Sequence, residues 1–212
     1  MKQRTAPSCY DKNKKKKGKI CMSVLLFLLC SYLIGCFMTG NLVAYFSGVN
    51  LLNHGSGNIG ARNAGRVLGK MGFIVTFIGD AIKGALVVGG AILLGYDEVF
   101  QLFALICVIS GHIWPILYRF RGGKGISSLV GGLAAFNVLL LLMIVIIFVV
   151  LFIFLKSFSF TGLISFLFSP FLSYLLYQNS YIFWILFLNI GIVFYAHREN
   201  ITEIIHEKEK SL

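Results

Sequence analysis

The feature that most constrains this chain is a series of apolar segments that follow one another along most of its length. They cover residues 21–46, 71–96, 99–118, 126–137, 138–155, 159–178 and 180–196. Several reach the ~20 apolar residues that a helix needs to cross a bilayer. With 58% hydrophobic and 13% charged residues in a chain of 212, a soluble domain could not bury the apolar surface. We therefore predict an all-α, polytopic membrane protein with about seven transmembrane helices and short loops, built as one domain over residues 22–212.

The longest apolar run, residues 126–155, exceeds the length of one ordinary span. We divide it at Asn137, the polar residue near its middle. Counts of five or six spans are the alternatives.

The basic residues of the connecting loops fall on one predicted face of the membrane. For seven spans, that face carries Arg62, Arg66, Lys70, Arg119, Arg121, Lys124, Lys156, Arg198, Lys208 and Lys210. The opposite face carries Asp97 and Glu98. Because cytoplasmic loops of membrane proteins are enriched in Lys and Arg, we expect the basic face and the C-terminus to be cytoplasmic.

The N-terminal residues 1–21 depart from this arrangement. Eight of the 19 Lys and Arg lie in the first 19 residues, which seven spans and a cytoplasmic C-terminus would place outside. We expect a disordered, solvated basic tail, although such a charge run also occurs in segments that bind anionic lipid or nucleic acid. Either an even number of spans or translation from Met22 would remove the conflict, and we favour the start at Met22.

A glycine-rich stretch, "HGSGNIGARNAGR" at residues 54–66, contains the spacing G-x-G-x-x-G at Gly55, Gly57 and Gly60. Asp80 follows twenty residues later, where a dinucleotide-binding site has its ribose-binding acid. That site needs a β-strand before the loop and a crossover helix after it. Here the loop follows a membrane segment and Asp80 lies inside the next one, so the sequence disfavours a dinucleotide site.

The same loop nevertheless has the chemistry of a phosphate site. Glycines let backbone N–H groups converge on an anion, because they have no Cβ. Ser56, Asn58 and Asn63 add side-chain hydrogen-bond donors, and Arg66 offers a two-pronged guanidinium. The alternative is a positively charged turn whose glycines serve tight helix packing.

A second loop, "GGKG", places Gly122, Gly123 and Gly125 around Lys124, next to the start of a helix. It is not a Walker A loop, because Gly125 stands where that motif has Ser or Thr. A helix N-terminus favours anions, so we predict a second phosphate-binding loop on the same face.

Polar residues near two other spans complete the set of candidates. His197 and Asn200 share one face of a helix, where a histidine can move protons near neutral pH. Asp80 and Lys83 lie in the second span at i,i+3 spacing, and we predict a structural ion pair near the site. The five cysteines form no C-x-x-C pair, so we predict neither a disulfide framework nor a metal site.

Three motifs together resemble the bacterial acyl-phosphate:glycerol-3-phosphate acyltransferase family, PlsY. The first reads "GSGNIGARN" followed by Arg66, the second is "GGKG" at 122–125, and the third begins "HRENI" at 197–201. The "GHIWP" at 111–115 also fits the family pattern, and the resemblance covers about residues 22–209. Motifs in this order with membrane spacing are far more specific than any one of them.

The resemblance implies transfer of a fatty acyl group from acyl phosphate to the 1-hydroxyl of glycerol 3-phosphate, which yields lysophosphatidic acid and phosphate. It implies no cofactor, no nucleic-acid partner and a place among the lipids of the bacterial cell membrane. Lys124 would neutralise phosphate, while His197 and Asn200 would orient glycerol 3-phosphate. Either His197 or a substrate phosphate would accept the proton. The residues implied in substrate binding are Ser56, Asn58, Arg66 and Ser159.

The chain departs from the family pattern at three positions: Arg62 stands where the family often has Thr, Gly162 replaces a serine, and Glu207 replaces a glycine. These changes leave open a paralogue that acylates another phosphorylated acceptor. A small anion or phospholipid transporter is the alternative from another class, since glycine loops and intramembrane charges occur there as well. A transporter predicts basic residues along a path to both faces, whereas this chain concentrates them on one.

Overall fold

The computed structural model describes residues 9–199, 201 and 202, with side chains from Met22 onward. Its helices are α1 (Cys9–Gly35), α2 (Thr39–Phe46), α3 (Ala61–Leu93), α4 (Glu98–Ile113), α5 (Ile126–Phe136), α6 (Val138–Leu155), α7 (Phe158–Leu167), α8 (Ser169–Tyr177) and α9 (Ser180–Ala196). Short 3₁₀ turns occur at Leu51–Asn53 and Ile116–Tyr118. No β-strand occurs within these described ranges, which confirms the all-α class and removes the dinucleotide interpretation of the glycine loop.

Five helical stretches in the described chain are long and apolar enough to cross a membrane. They are Met22–Phe46, Ala61–Leu93, Glu98–Tyr118, Val138–Leu155 and Phe158–Tyr177. α5 and α9 are also apolar but shorter, and the 11 residues of α5 span about 16 Å, half of a bilayer core. The protein is a multi-pass membrane protein, whereas a count of seven full crossings stays a prediction.

The division of the long apolar run at Asn137 is confirmed. Asn137 has an extended backbone (φ −161°, ψ 107°) between α5 and α6. Its Oδ1 accepts a hydrogen bond from Leu140 N at 3.0 Å, which caps the start of α6. Its Nδ2 donates to Tyr177 Oη at 2.8 Å and so fixes this corner to α8.

Three helix breaks were not predicted, two of them inside predicted spans. The first segment is interrupted at residues 36–38 between α1 and α2, and the sixth is interrupted at Phe168, two residues before Pro170. α3 begins ten residues earlier than the predicted span, and it is broken at Gly69, where φ is 77° and ψ is −171°. The first motif therefore continues directly into a helix.

Glycines allow two helix pairs to pack with their backbones in contact. On the α1–α4 face, a Cβ at Gly35 would collide with Val108 O, and one at Gly111 would collide with Tyr32 O. On the α3–α5 face, a Cβ at Gly84 would collide with Ser128 O. Small residues at helix crossings are typical of membrane proteins, where close van der Waals packing holds the helices together.

The helix order brings the polar motifs to one end of the bundle. Successive membrane helices run in opposite directions. As a result, α3, α5 and α7 begin at that end of the bundle, while α4 and α9 end there. Leu102, Leu105 and Ile109 of α4 form the centre of the apolar core. α6 buries Leu140 and Ile144 and directs most of its other side chains outward, as a helix facing lipid does.

Candidate active site

An open cavity of about 300 Å³ lies at this end, where the first turns of α3, α5 and α7 meet the end of α9. The predicted site residues that line it are Ser56, Asn58, Gly60, Asn63, Arg66, Lys124, Gly125, Ser159 and His197. The predicted residues Gly55, Gly57, Gly122 and Gly123 are not among its lining residues. Asn200 lies outside the described residues.

Asn63 holds the glycine loop together. It is 2% exposed, and its Oδ1 accepts a hydrogen bond from Ser56 N at 2.8 Å. Its Nδ2 lies 3.1 Å from Leu51 O, 3.0 Å from His54 O and 2.8 Å from Asn58 O. This amide is therefore engaged with the loop on both of its polar atoms, which makes Asn63 a shaping residue more than a phosphate donor.

Three backbone N–H groups of the first loop also have partners within the protein. Ser56 N donates to Asn63, Gly57 N to His54 O at 3.2 Å, and Gly60 N to Asn58 Oδ1 at 2.7 Å. The loop uses these three groups to fold upon itself, so they do not point to an anion in this structure. Gly55 and Gly57 instead supply positive φ angles of 63° and 65° that the turn requires.

The second loop is fixed against the end of α4. Gly123 N donates to His112 O at 2.9 Å. A Cβ at Gly123 would collide with His112 Nε2, and one at Gly122 would collide with His112 O. These two glycines therefore permit close approach to α4, while Lys124 and Gly125 face the cavity.

A buried polar cluster supports this loop from behind. Lys83 Nζ lies 3.1 Å from Asp80 Oδ1, which is the predicted ion pair, and 2.7 Å from His112 Nδ1. It also donates to Gly35 O at 3.0 Å and Phe37 O at 2.7 Å, at the break between α1 and α2. Lys83 thus links three helices, and it satisfies carbonyl groups that the break leaves exposed to an apolar interior.

His112 was not assigned to the site by sequence reasoning, although it lies in the "GHIWP" stretch. It is 2% exposed and lines the cavity. Because a Lys ammonium can only donate, His112 Nδ1 accepts from Lys83 and the ring proton lies on Nε2, beside Gly123. No local sequence signal identifies such a contact, since α3 and α4 meet only in the folded chain.

Among the residues that the structure describes, three cationic side chains line the cavity: Arg62, Arg66 and Lys124. None of the described lining residues is Asp or Glu. Arg62 and Arg66 are exposed and one turn apart on α3, and Arg62 Nη1 donates to Ser159 Oγ of α7. The mouth of the cavity is therefore strongly positive, which favours an anionic ligand.

His197 follows α9 directly and is 3% exposed. Its Nδ1 lies 2.8 Å from Val193 O, so this nitrogen donates and Nε2 is left as an acceptor in the neutral ring. Burial, helped by the charges of Lys124 and Arg62 and opposed by the hydrogen bond to Val193, lowers the pKa of His197 to about 4. At neutral pH this imidazole is uncharged.

Most of the remaining wall of the cavity is apolar. It is formed by aromatic and aliphatic side chains that include Phe73, Phe77, Val130, Leu141, Ile144, Val145, Phe148 and Phe166. One cavity thus joins a cationic mouth to an apolar interior.

In the described ranges, no three His, Cys, Asp or Glu side chains come together as a metal site would need.

Comparison with known proteins agrees with this geometry. The model of the family described as glycerol-3-phosphate acyltransferase matches residues 25–207. Glycerol-3-phosphate acyltransferase 1 of Bacillus thuringiensis subsp. konkukian (strain 97-27) is 45% identical over 176 residues, covering 82% of this chain and 96% of the relative. Its counterpart in Desulfitobacterium hafniense (strain Y51) is 34% identical over 190 residues, covering 88% and 93% respectively.

The fold is also similar to a crystal structure of PlsY (YgiH), an integral membrane glycerol 3-phosphate acyltransferase, in its glycerol 3-phosphate form. The TM-score is 0.81 with 26% sequence identity, over 87% of this chain and 93% of that one. The lysophosphatidic acid form of the same protein gives a TM-score of 0.80 with 25% identity. Since the family model matches most of the sequence, this chain belongs to the glycerol-3-phosphate acyltransferase family.

Proposed function

We propose that this protein transfers a fatty acyl group from acyl phosphate to the 1-hydroxyl of glycerol 3-phosphate and releases lysophosphatidic acid and phosphate. The observation that carries the proposal is the cavity itself. Its mouth presents Arg62, Arg66 and Lys124 with no carboxylate among the described lining residues, and its interior is apolar. The relatives named above are glycerol-3-phosphate acyltransferases, which supplies the acceptor.

Acyl phosphate suits this cavity as the donor. It is a mixed anhydride with an anionic head and a long apolar chain, and it is already activated for acyl transfer. Phe73, Phe148 and Phe166 contribute to a wall that can bury such a chain, and each buried methylene stabilises the complex by about 0.8 kcal/mol. The phosphate then lies at the cationic mouth, near Lys124.

In the reaction, the C1 hydroxyl oxygen of glycerol 3-phosphate attacks the carbonyl carbon of acyl phosphate and forms the new ester bond. The bond between that carbon and the bridging phosphate oxygen breaks, and the electron pair leaves with phosphate. Lys124 stabilises the negative charge that develops there, and such charge stabilisation is worth most in a site that excludes water.

His197 orients the attacking hydroxyl through Nε2. Its Nδ1 proton is fixed on Val193 O, so Nε2 accepts the hydroxyl hydrogen bond. With a pKa lowered to about 4 it is a weak base, because efficient general bases have a pKa near the working pH. The departing phosphate is the better final acceptor of the proton, because even an esterified phosphate has a second pKa of about 6 and inorganic phosphate is more basic. Asn200 is proposed as a second group that orients glycerol 3-phosphate, and Ser56 and Asn58 as groups that contact phosphate.

The motif face and the C-terminus are proposed to lie on the cytoplasmic side of the bacterial cell membrane. The basic loop residues support this orientation by the positive-inside rule. Glycerol 3-phosphate would then enter the cavity from the cytoplasm, while the acyl chain would enter from the surrounding lipid.

An acyl-transfer assay on the purified protein tests the function. Glycerol 3-phosphate is supplied with acyl phosphate, acyl-CoA or acyl carrier protein loaded with the same chain, and lysophosphatidic acid is measured. We expect product from acyl phosphate alone. Absence of product from acyl phosphate, or equal rates from all three donors, would reject the proposed reaction.

Two substitutions test the site within that assay. Lys124→Ala should lower the rate by about 100-fold or more, since loss of one group that stabilises transition-state charge costs that much. Arg66→Ala should lower it by about tenfold or more, as loss of one charged hydrogen bond does. Lys70→Ala removes a charge from the same helix, at an exposed position outside the cavity, and serves as the matched control. Near-normal rates in both site variants would show that the cationic mouth is not the phosphate site.

A further inference from the structure

Arg62 is the cavity residue that the motifs do not explain. It is the second residue of α3 and it is exposed at the mouth, so a soluble ligand can reach it. Its Nη1 donates to Ser159 Oγ, on the first turn of α7. A guanidinium has five N–H donors. Within the described part of the protein, Arg62 donates to one other side chain, that of Ser159.

The position of Arg62 is electrostatically costly without an anion. Arg66 lies four residues later on the same helix, and like charges at this spacing repel. Lys124 adds a third positive charge to the cavity, and no Asp or Glu lines it in the ranges that the structure describes. A neutral hydroxyl, Ser159 Oγ, is a weak partner for a guanidinium that fits a phosphate bidentately.

The polar groups of the cavity take part in two contacts between different elements. In one, the two glycine loops meet: a Cβ on Gly60 would lie 3.7 Å from Gly123 Cα and 3.9 Å from Lys124 N. In the other, Arg62 reaches Ser159 on α7. His197 is within electrostatic range of both, since the charges of Lys124 and Arg62 both lower its pKa after burial has done so.

We infer that Arg62 is a phosphate ligand for the acceptor, which it holds on the α7 side while Lys124 serves the phosphate of the donor. This assignment rests on the proposed function, which requires two phosphates in one cavity. The donor's phosphate is tied to the apolar wall by its acyl chain, whereas the small, soluble acceptor enters through the open mouth. Arg62 is exposed at that mouth, and its guanidinium exchanges part of its contact with Ser159 for two phosphate oxygens.

Separate Michaelis constants for the two substrates test the inference. Arg62→Gln should raise KM for glycerol 3-phosphate by about tenfold or more, the loss expected for one charge-assisted hydrogen bond. Arg62→Lys should fall between Arg62→Gln and wild type, because it keeps the charge but loses the fork. KM for acyl phosphate should stay within about twofold in both variants, because the proposed contact between Lys124 and the donor's phosphate is retained. Lys70→Gln, on the same helix and outside the cavity, controls for the loss of one positive charge.

A purely structural role for Arg62 would act through Ser159. In a Ser159→Ala background that role has already been removed, so Arg62→Gln would then have no further effect. A direct phosphate contact predicts that Arg62→Gln still raises KM for glycerol 3-phosphate in that background. Loss of the effect, or a rise confined to KM for acyl phosphate, overturns the inference.

Direct binding separates this inference from the proposed reaction. Calorimetry with purified protein compares glycerol 3-phosphate with glycerol, which lacks the phosphate, in wild type and Arg62→Gln. If wild type binds glycerol 3-phosphate and Arg62→Gln binds it about tenfold more weakly, Arg62 is a phosphate ligand even if no product forms. Equal affinities in the two proteins overturn the inference and leave an observed acyl transfer untouched. If wild type does not bind glycerol 3-phosphate, both fail.

Discussion

At the scale of single residues, His197 has the most consequential environment. It is 3% exposed, and burial together with Lys124 and Arg62 lowers its pKa from the ordinary 6.5 to about 4. A lowered pKa means that the folded protein favours the neutral ring more than the unfolded chain does. Its contribution to stability is therefore fully present above pH 6.5, declines as the pH falls, and is lost below about 4.

This linkage predicts a specific acid sensitivity. Between pH 7.5 and 5, protonation of His197 in the unfolded chain but not in the folded protein should lower the unfolding free energy of wild type by on the order of 2 kcal/mol. His197→Gln has no titrating group there and should lose less stability over the same range. Thermal unfolding in detergent at both pH values measures the difference. Parallel losses in wild type and variant would mean that His197 titrates normally in the folded protein.

At the scale of helices, the sequence predicts where a polar residue interrupts an apolar run, but not where a helix breaks for packing. Asn137 interrupts the run 126–155, and the break occurs there. The breaks at residues 36–38 and at Gly69 have no such local mark. The first depends on Lys83, whose ammonium satisfies the carbonyls of Gly35 and Phe37 from another helix.

The break at Gly69 makes a testable prediction because its backbone angles are nearly restricted to glycine. With φ 77° and ψ −171°, a side chain at this position is strained although nothing lies within 4 Å of its Cβ. Gly69→Ala should cost about 1–3 kcal/mol. Gly89→Ala, in the same helix with ordinary φ and equally free space, should be neutral or stabilise by about 0.5–1 kcal/mol. Unfolding midpoints in detergent compare the two, and equal shifts would rule out a backbone cause.

The buried cluster that joins α1, α3 and α4 makes a second prediction. Lys83→Met leaves Asp80, which is 0% exposed, without its ammonium partner at 3.1 Å. Removing one member of a buried ion pair costs about 3–5 kcal/mol, so this variant should be strongly destabilised. Asp80→Asn combined with Lys83→Met removes both charges and should recover part of the loss. A double variant no more stable than Lys83→Met would place the cost in the carbonyls of Gly35 and Phe37.

At the scale of the whole molecule, the sequence predicts which motifs share a face but not the role of each residue within them. Motif order and basic loops predict that Ser56, Arg66, Lys124 and His197 converge, and all of them line one cavity. The roles of Asn63 and His112 depend on distant partners that no local pattern shows: one amide organises a loop, and one imidazole packs on a glycine of another motif. The hydrogen bond from Arg62 to Ser159 likewise joins residues that are far apart in the sequence, so no local pattern predicts it.

The orientation of the bundle is the last property that charge alone predicts, and cysteine labelling in intact cells tests it. The five native cysteines are first replaced, and a single cysteine is then introduced at an exposed position on either face. Glu98→Cys lies at the exposed first residue of α4, next to Asp97, whereas Arg121→Cys lies beside the "GGKG" loop. Because basic loops stay in the cytoplasm, a membrane-impermeant maleimide should label Glu98→Cys in intact cells and Arg121→Cys only after permeabilisation. The reverse pattern would place the cavity outside, away from cytoplasmic glycerol 3-phosphate, and would contradict both the orientation and the proposed route of the acceptor.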